Sequence, residues 1–244
     1  MIFCQCKANV RWDNDGFYKG NSPLTVYGLS QIKKLGGEFA RVPIDHIYAS
    51  PLDRAINTAQ AIVDAHEGEP LNLQIDPQIR EQDLGPSYYE ALAVGDRDLA
   101  YWIRAGDPQY FTRHFKPEGG ESYEHLSDRA RTVLLKLIPL HGIVTDSIPE
   151  QAEGLDSKSS DPPAGIPHIV LVSHNLFIGE FYDLFLNWNC PESYWKESGF
   201  HWPNAYWFVI RFFGFFTNSN ECRSRHVVWL SDDSKELKFL NLRL

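Results

Sequence analysis

Residues 166–188 constrain the fold of this chain more than any other stretch, because they join an apolar run to a helical pattern through a polar step. Residues 169–172 are continuously apolar and mostly β-branched, which predicts a strand buried on both faces of a parallel sheet. The run stops at Ser173, His174 and Asn175. Apolar residues then recur at a helical spacing, at positions 176, 177, 178, 181, 184, 185 and 188. We therefore predict a buried strand, a polar turn and a helix with one broad buried face.

The position of His174 makes it a candidate ligand-binding residue. In open α/β sheets, ligands bind at the edge formed by the carboxyl ends of the strands, where the free N–H groups of helix N-termini favour anions. The alternative is a hydrogen-bonded structural histidine, which is the commoner role of a single histidine considered by itself.

The chain before this stretch alternates predicted helices and strands. Thr25 is a predicted N-cap of a helix that continues through Ala40. Its buried stripe is predicted to be Leu29, Ile32, Leu35 and Phe39. Residues 44–50 predict a short strand, followed by an amphipathic helix with Arg54 in its first turn. Residues 71–75 alternate apolar and polar side chains, as an edge strand does. Arg54, like His174, is therefore a basic side chain predicted at the junction of a strand and a helix.

Two segments interrupt this alternation. Residues 88–115 are rich in aromatic and charged side chains with weak periodicity, and we interpret about 86–118 as an inserted helical lid. Residues 146–166 are rich in Ser, Pro, Asp, Glu and Gly and nearly devoid of bulky apolar side chains, which predicts a flexible insertion. Between them, Ser122 is a predicted N-cap. The buried stripe of its helix is predicted to be Leu126, Ala130, Val133, Leu134 and Leu137.

The end of the chain predicts two strands, at 205–216 and 226–230, separated by a turn-rich segment and paired antiparallel. The sequence contains no internal repeat and no other linker. Alternating strands and helices predict a parallel sheet. We therefore expect a single α/β domain over residues 1–244, with an antiparallel tail.

Charge and composition exclude several classes of function. The net charge of −9 argues against a general nucleic-acid binder, since phosphate-backbone affinity needs a positive face. The apolar run at 207–216 is too short to span a membrane and contains Arg211. The first residues lack the pattern of a signal peptide, so we expect a cytoplasmic protein. The four cysteines lack paired CxxC spacing, which argues against a zinc site or a disulfide framework: Cys4, Cys6, Cys190 and Cys222.

Five short motifs, in this order, resemble those of the histidine phosphatase superfamily, which has the phosphoglycerate-mutase-like fold. They are Ser22-Pro23-Leu24-Thr25 with Gly28 and Gln31; Tyr48-Ala49-Ser50-Pro51-Leu52-Asp53-Arg54-Ala55 with Thr58-Ala59; Arg80-Glu81-Gln82-Asp83-Leu84-Gly85; Gly119-Gly120-Glu121-Ser122; and Val172-Ser173-His174. Each motif is weak alone, but their order and spacing are specific. The resemblance extends from residue 4 to about residue 190. It implies a three-layer α/β fold, with a mostly parallel central sheet flanked by helices and a phosphate pocket at the carboxyl edge of that sheet.

The resemblance also implies roles for individual residues. Arg54 matches the family's phosphate-binding arginine, Glu81 the glutamate that protonates the leaving group, and His174 the second histidine, which contacts phosphoryl oxygens. Asn9 and Asn175 complete the predicted phosphate-binding set, although Asn175 stands where the family usually has glycine. Phosphoryl transfer needs an in-line nucleophile, cations around the equatorial oxygens and an acid for the departing alkoxide. No metal or cofactor is implied, because Arg and His supply the positive charge.

The front of the chain departs from the family pattern, in which an Arg-His-Gly motif supplies the nucleophilic histidine. Matching residues 5–9 to the second half of that motif puts Ile2, Phe3 and Cys4 at the arginine, histidine and glycine positions. A shifted register puts Gln5 or Cys6 at the histidine position instead. Neither register supplies an imidazole, and no neighbouring group marks Cys6 as a low-pKa thiolate.

This departure leaves two expectations for the fold and two for the function. Residues 1–6 are expected either to form a substitute for the family's central first strand or to follow a further upstream segment. The protein is expected to be a phosphomonoester hydrolase or mutase if an upstream Arg-His exists. Otherwise we expect a pseudophosphatase that binds a phosphorylated small molecule or a phosphoprotein. The lid contains no motif that names the substrate, and the sequence leaves the oligomeric state open.

Overall fold

The computed structural model describes residues 2–5, 21–105, 113–141, 167–186, 207–216 and 222–230. The helices in these ranges are α1 Val26–Phe39, α2 Asp53–Ala65, α3 Pro86–Ala93, α4 Arg97–Ala105, α5 Tyr123–His141 and α6 Asn175–Leu186. The strands are β1 Ile2–Gln5, β2 His46–Ala49, β3 Leu73–Ile75, β4 Ile169–Ser173, β5 Trp207–Phe216 and β6 Cys222–Leu230. A short 3-10 turn at Pro77–Ile79 follows β3.

The six strands form one sheet in the order β3-β2-β4-β1-β5-β6. β4 pairs in parallel with both β2 and β1, and β3 pairs in parallel with β2. β5 and β6 extend the sheet in the antiparallel direction. This confirms the predicted α/β class, the edge position of the 71–75 strand and the antiparallel tail. Because parallel strands end at the same edge, the residues that follow β2, β3 and β4 lie along one side of the sheet: Ser50, Asp76 and His174.

The two faces of β4 contact different helical layers. All five residues of β4 are buried, as the continuous apolar run predicts. Val170 and Val172 join the core formed with α1 and α2. Ile169 and Leu171 join the core formed with α5 and α6. Since successive strand residues point to opposite faces, this alternation gives a sheet covered by helices on both sides.

Both predicted N-caps are present. The Thr25 Oγ1 accepts a hydrogen bond from the Gly28 N–H at 3.0 Å, and the Ser122 Oγ accepts one from the His125 N–H at 3.2 Å. Side-chain oxygens at these positions satisfy N–H groups that a helix start leaves without intrahelical partners. The predicted stripe of α5 is buried throughout. In α1, however, Leu29 is exposed, and Gly28 and Gly36 are buried between the longer apolar residues.

Several predictions need correction or fall outside the described residues. β6 begins at Cys222 rather than at 226, because its pairing with β5 continues into the predicted turn. The 86–118 segment contains α3 and α4, joined by a small cluster of Leu84, Tyr88, Ala91 and Ala100. Near the end of the segment, Arg113 forms an ion pair with the buried Glu180 of α6. The segment 146–166 lies outside the described residues. Among the helices that the structure describes, none is both long enough and apolar enough to cross a bilayer.

Candidate functional site

His174 occupies the turn between β4 and α6 and is 2% exposed. Its Nε2 lies 2.7 Å from the Ser50 Oγ, in the segment after β2. The Ser50 N–H in turn donates to the Val172 carbonyl at 3.0 Å. On the other side, the Ser173 Oγ donates to the Ile79 carbonyl at 2.6 Å. Hydrogen bonds to both neighbouring segments therefore fix the turn that carries the histidine.

The electrostatic surroundings of His174 disfavour its protonated form. Burial, followed by the positive charges of Arg54 and Arg129, holds the pKa of His174 well below its usual range. Arg54 is a buried residue in the first turn of α2. With an ordinary pKa near 6.5 lowered further, the imidazole is neutral at pH 7. An anion bound in this space would oppose the effect of the two cations.

Glu81 places its carboxylate at the start of α6. One carboxylate oxygen accepts from the Gln82 N–H at 3.0 Å. The other lies 3.5 Å from the Leu176 N–H, in the first turn of α6. A helix N-terminus stabilises negative charge, so this is a favourable position for a carboxylate and, by the same physics, for a phosphoryl group.

The structure thus brings four of the five predicted site residues to one edge of the sheet. His174 contacts Ser50, the charge of Arg54 acts on His174, and the Glu81 carboxylate meets the helix that begins at Asn175. Asn175 is itself buried. Asn9 lies outside the described residues. Among the side chains that the structure describes, no three His, Cys, Asp or Glu residues are grouped so as to hold a metal ion.

The pairing register of β1 bears on which residue takes the position of the family's nucleophilic histidine. Phe3 pairs with Leu171, inside the strand, whereas Gln5 ends β1 opposite Ser173. The position equivalent to His174 on this neighbouring parallel strand therefore follows Gln5. This favours the shifted register over the one that puts Phe3 at the histidine position. The structure also has the short strand that the first alternative for residues 1–6 expects.

Sequence reasoning missed Arg129, whose side chain is 9% exposed and whose guanidinium lies under the Glu81 loop. It donates to the carbonyls of Gln78, Arg80 and Glu81 and to the carboxylate of Glu121. A signal was present in the sequence: Arg129 is three residues from Leu126 and four from Val133, on the buried face of α5. A charged residue on an apolar stripe indicates a buried partner.

Two glycine-containing motifs are interlocked beside Glu81. The Glu121 N–H donates to the Asp83 carbonyl at 2.6 Å, and the Gln82 Nε2 donates to the Glu121 carbonyl at 2.8 Å. Gly85 has a φ of +80°, and a Cβ there would lie 2.1 Å from the Glu118 carbonyl oxygen. Only glycine fits both the backbone conformation and the space. The Asp-Leu-Gly and Gly-Gly-Glu motifs are therefore two halves of one packed contact.

The fold and the residues at its carboxyl edge define an α/β protein of the phosphoglycerate-mutase-like class. Within that class the chain belongs to the histidine phosphatase superfamily (branch 1), whose sequence profile matches residues 8–145.

Relatives in sequence carry the names of phosphatases and mutases. Fructose-2,6-bisphosphatase TIGAR B of Danio rerio is 25% identical over 182 residues, which cover 70% of this chain and 68% of that protein. The probable phosphoglycerate mutase GpmB of Salmonella choleraesuis is 26% identical over 142 residues, which cover 57% of this chain and 64% of that protein. The match thus spans less than two thirds of the GpmB relative.

Solved structures show the same fold at lower identity. A mycobacterial glucosyl-3-phosphoglycerate phosphatase has a TM-score of 0.60 at 19% identity, with 95% of this chain and 98% of that chain covered. YhfR of Bacillus stearothermophilus has a TM-score of 0.60 at 18% identity, with 86% of this chain and 89% of that chain covered. At this level of identity, the similarity establishes the fold.

Proposed function

We propose that this protein binds a phosphorylated small molecule at the carboxyl edge of its sheet, through Arg54 and His174, with Glu81 placed to protonate a leaving group. The observation that carries the proposal is a buried histidine flanked by the charges of two arginines. The carboxylate of Glu81 lies at the start of the helix that follows this histidine. Membership of the histidine phosphatase superfamily supports the same chemistry.

Each residue has a separate task in this proposal. Arg54 donates charge-assisted hydrogen bonds to phosphoryl oxygens. His174 takes up a proton when a dianion binds, and its imidazolium then adds a second cation. Asn9 and Asn175 supply further polar contacts to the phosphoryl group. Glu81, if protonated, delivers its proton to the departing alkoxide.

We propose further that the chain turns over phosphomonoesters slowly or not at all. The first histidine in the sequence is His46, so the front of the chain carries no imidazole to attack phosphorus. Neither the phenyl ring of Phe3 nor the amide of Gln5 replaces it in forming a covalent phosphoryl intermediate, and no neighbouring group in the sequence marks Cys6 as a low-pKa thiolate. Binding without turnover would make the protein a pseudophosphatase, with a phosphorylated metabolite or a phosphoprotein as its ligand.

The test combines a p-nitrophenyl phosphate assay with calorimetric titration of vanadate and inorganic phosphate. We expect anion binding with negligible turnover in the unaltered protein. Arg54→Ala should weaken binding by about 1.5–3 kcal/mol, the contribution of a hydrogen bond to a charged group. Arg41→Ala is the matched control, because Arg41 is exposed and pairs only at the surface with Glu67.

Two outcomes would contradict the proposal. Robust turnover abolished by His174→Ala would show that the chain has a nucleophile, and would overturn the proposed inactivity. Absence of any anion binding would overturn the phosphate site itself.

A further inference from the structure

We propose that Arg129 is a positioning residue that holds the carboxylate of Glu81 against the first turn of α6. The inference rests on the proposed function, since Glu81 is the acid of that proposal. The family roles that the sequence implies do not include Arg129. Its contacts, however, involve both the loop that carries Glu81 and the helix that carries Leu176.

The guanidinium of Arg129 uses its full set of donors. Its Nη1 donates to the Gln78 carbonyl at 2.6 Å and to the Arg80 carbonyl at 2.8 Å. Its Nη2 donates to the Glu81 carbonyl at 3.4 Å and to the Glu121 carboxylate at 3.0 Å. Its Nε donates to the other Glu121 oxygen at 3.3 Å. Since arginine has five N–H groups in a rigid planar arrangement, all five are engaged.

Three carbonyl contacts within four residues determine the path of the loop that carries Glu81. The carbonyls of Gln78, Arg80 and Glu81 all point to one planar group, which restricts the backbone on both sides of Arg80. Lysine has a single charged nitrogen on a flexible stem and cannot reproduce this arrangement. The loop geometry therefore depends on the shape of the guanidinium as well as on its charge.

The same guanidinium also contacts α6. It lies over the ring of Phe177, 5.3 Å from the ring centroid, a cation–π distance. Phe177 is fully buried and follows Leu176, whose N–H is the helix-side partner of Glu81. Arg129 thus holds the loop through its carbonyls and the helix through Phe177.

The charge of Arg129 is balanced locally. Glu121 accepts from it through both carboxylate oxygens and also pairs with Arg80 at 3.1 Å. The second Glu121 oxygen accepts the Asp83 N–H at 3.0 Å. The positive charge still reaches the site, because Arg129 contributes to the lowered pKa of His174, after burial and Arg54. Removing the charge at position 129 should therefore change the pKa of His174, whereas removing only the planar shape of the side chain should not.

Arg129→Lys and Arg129→Met separate the two contributions, and Arg131→Met is the matched control on the exposed side of α5. In Arg129→Lys, we expect amide exchange at Gln82 and Leu176 to become about tenfold faster, while the imidazole titration of His174 by NMR stays close to that of the unaltered protein. In Arg129→Met the same amides should exchange faster, and the pKa of His174 should rise. Arg131→Met should change neither measurement.

A global loss of stability is distinguished by two further measurements. Exchange in β4, at Val170 and Leu171, reports the whole core and should change little in Arg129→Lys. Glu121→Gln keeps the shape of the partner and removes its charge, so it should reproduce the faster exchange at Gln82 even if Arg129→Met does not fold. Equal acceleration at β4 and at Gln82 would show a merely structural arginine and would overturn the proposal.

The failure of this inference and the failure of the proposed function are separable. Unchanged exchange at Gln82 and Leu176 in Arg129→Lys overturns the positioning role, whether or not vanadate binds. Faster exchange at both amides in a protein that binds no vanadate supports the positioning role and overturns the phosphate site. If turnover is detected, Arg129→Lys should lower kcat with little change in KM. That effect should disappear in a Glu81→Gln background, because the two residues act through one proton donor.

Discussion

At the scale of single residues, the charges around His174 determine how the site responds to an anion. The imidazole is buried, and Arg54 and Arg129 both disfavour its protonation. A bound dianion would add negative charge in the same low-dielectric space, where charges interact more strongly than in water. The proton affinity of His174 and the anion affinity of the site are therefore linked, and by thermodynamic reciprocity each raises the other.

We expect this linkage to appear as a pH-dependent affinity for sulfate, whose charge is constant between pH 5 and 8. The pKa of free His174 is lowered, so the free protein carries a neutral imidazole at pH 7. Binding raises that pKa, and sulfate affinity should increase as the pH falls, approaching tenfold per pH unit for one proton taken up. Calorimetry across this pH range measures it. His174→Gln should flatten the profile, whereas His114→Gln, at an exposed histidine, should not. A flat profile in the unaltered protein would contradict the linkage.

Residues at strand ends were predictable, whereas residues defined by tertiary contacts were not. His174 and Arg54 follow buried strands, so their position at the edge follows from the sequence pattern. Arg129 acts through backbone carbonyls of another segment, and the sequence pattern predicts only that it lies on the buried face of α5. The contact between His46 and His141 also depends on tertiary structure. Their rings lie with centroids 4.0 Å apart, where α5 ends beside β2, and both residues are half-buried.

At the scale of elements, α1 and α2 approach each other closely at one glycine. A Cβ at Gly36 would lie 2.4 Å from the backbone oxygen of Ala61 in α2, whereas a Cβ at Gly37 would meet nothing within 4 Å. Backbone atoms cannot rotate away as a flexible side chain does. Gly36 therefore sets the separation of the two helices that cover this face of the sheet.

Adjacent alanine substitutions should have opposite effects on stability. Gly36→Ala should lower the free energy of unfolding by about 1–3 kcal/mol, the usual effect of overpacking. Gly37→Ala should raise it by about 0.5–1 kcal/mol, because alanine restricts the unfolded chain at an open helical position. Urea denaturation followed by circular dichroism measures both. Stabilisation of similar size by the two substitutions would show that the helices are free to move apart.

The sequence predicted the type of each long element better than its contacts. Strand β4 was recognisable as a short continuous apolar run, because both of its faces are buried. The stripe of α5 was recognisable because burial of one helix face imposes a periodicity of 3.6 residues. The stripe of α1 was predicted less well: Leu29 has the correct spacing but is exposed, while the close contact with α2 requires glycine. An apolar pattern indicates which face is buried without specifying how near the neighbouring element comes.

At the scale of the whole molecule, the described residues on either side of the 142–166 segment lie close together. His141 contacts the ring of His46, and the His168 carbonyl accepts from the His46 N–H at 3.3 Å. The connection from α5 to β4 therefore needs to span only a short distance. Loop-closure entropy grows slowly with length, so shortening this connection costs little.

We expect deletion of residues 146–166 to leave the melting temperature nearly unchanged. The segment is poor in bulky apolar side chains, so its removal should take little buried surface from the core. Differential scanning calorimetry of the deletion variant measures the change. Deletion of α4, at 97–105, is the comparison, because it removes Ala100 from a buried cluster and should lower the melting temperature. A large loss of stability on deleting 146–166 would mean that the segment contains a structural element.

The position of β1 inside the sheet has a consequence for how the protein is made. Ile2 pairs with Val170 on one side and with Val209 on the other, so β1 leaves the ribosome long before either of its partner strands. Contacts so distant in sequence are slow to form, and until they form both edges of β1 are unpaired. The turn that carries His174 lies at the end of β4, one of these two late partners of β1. Newly synthesised chains therefore complete the candidate site late, and we expect them to depend on chaperones more than a protein of this size with local strand pairing.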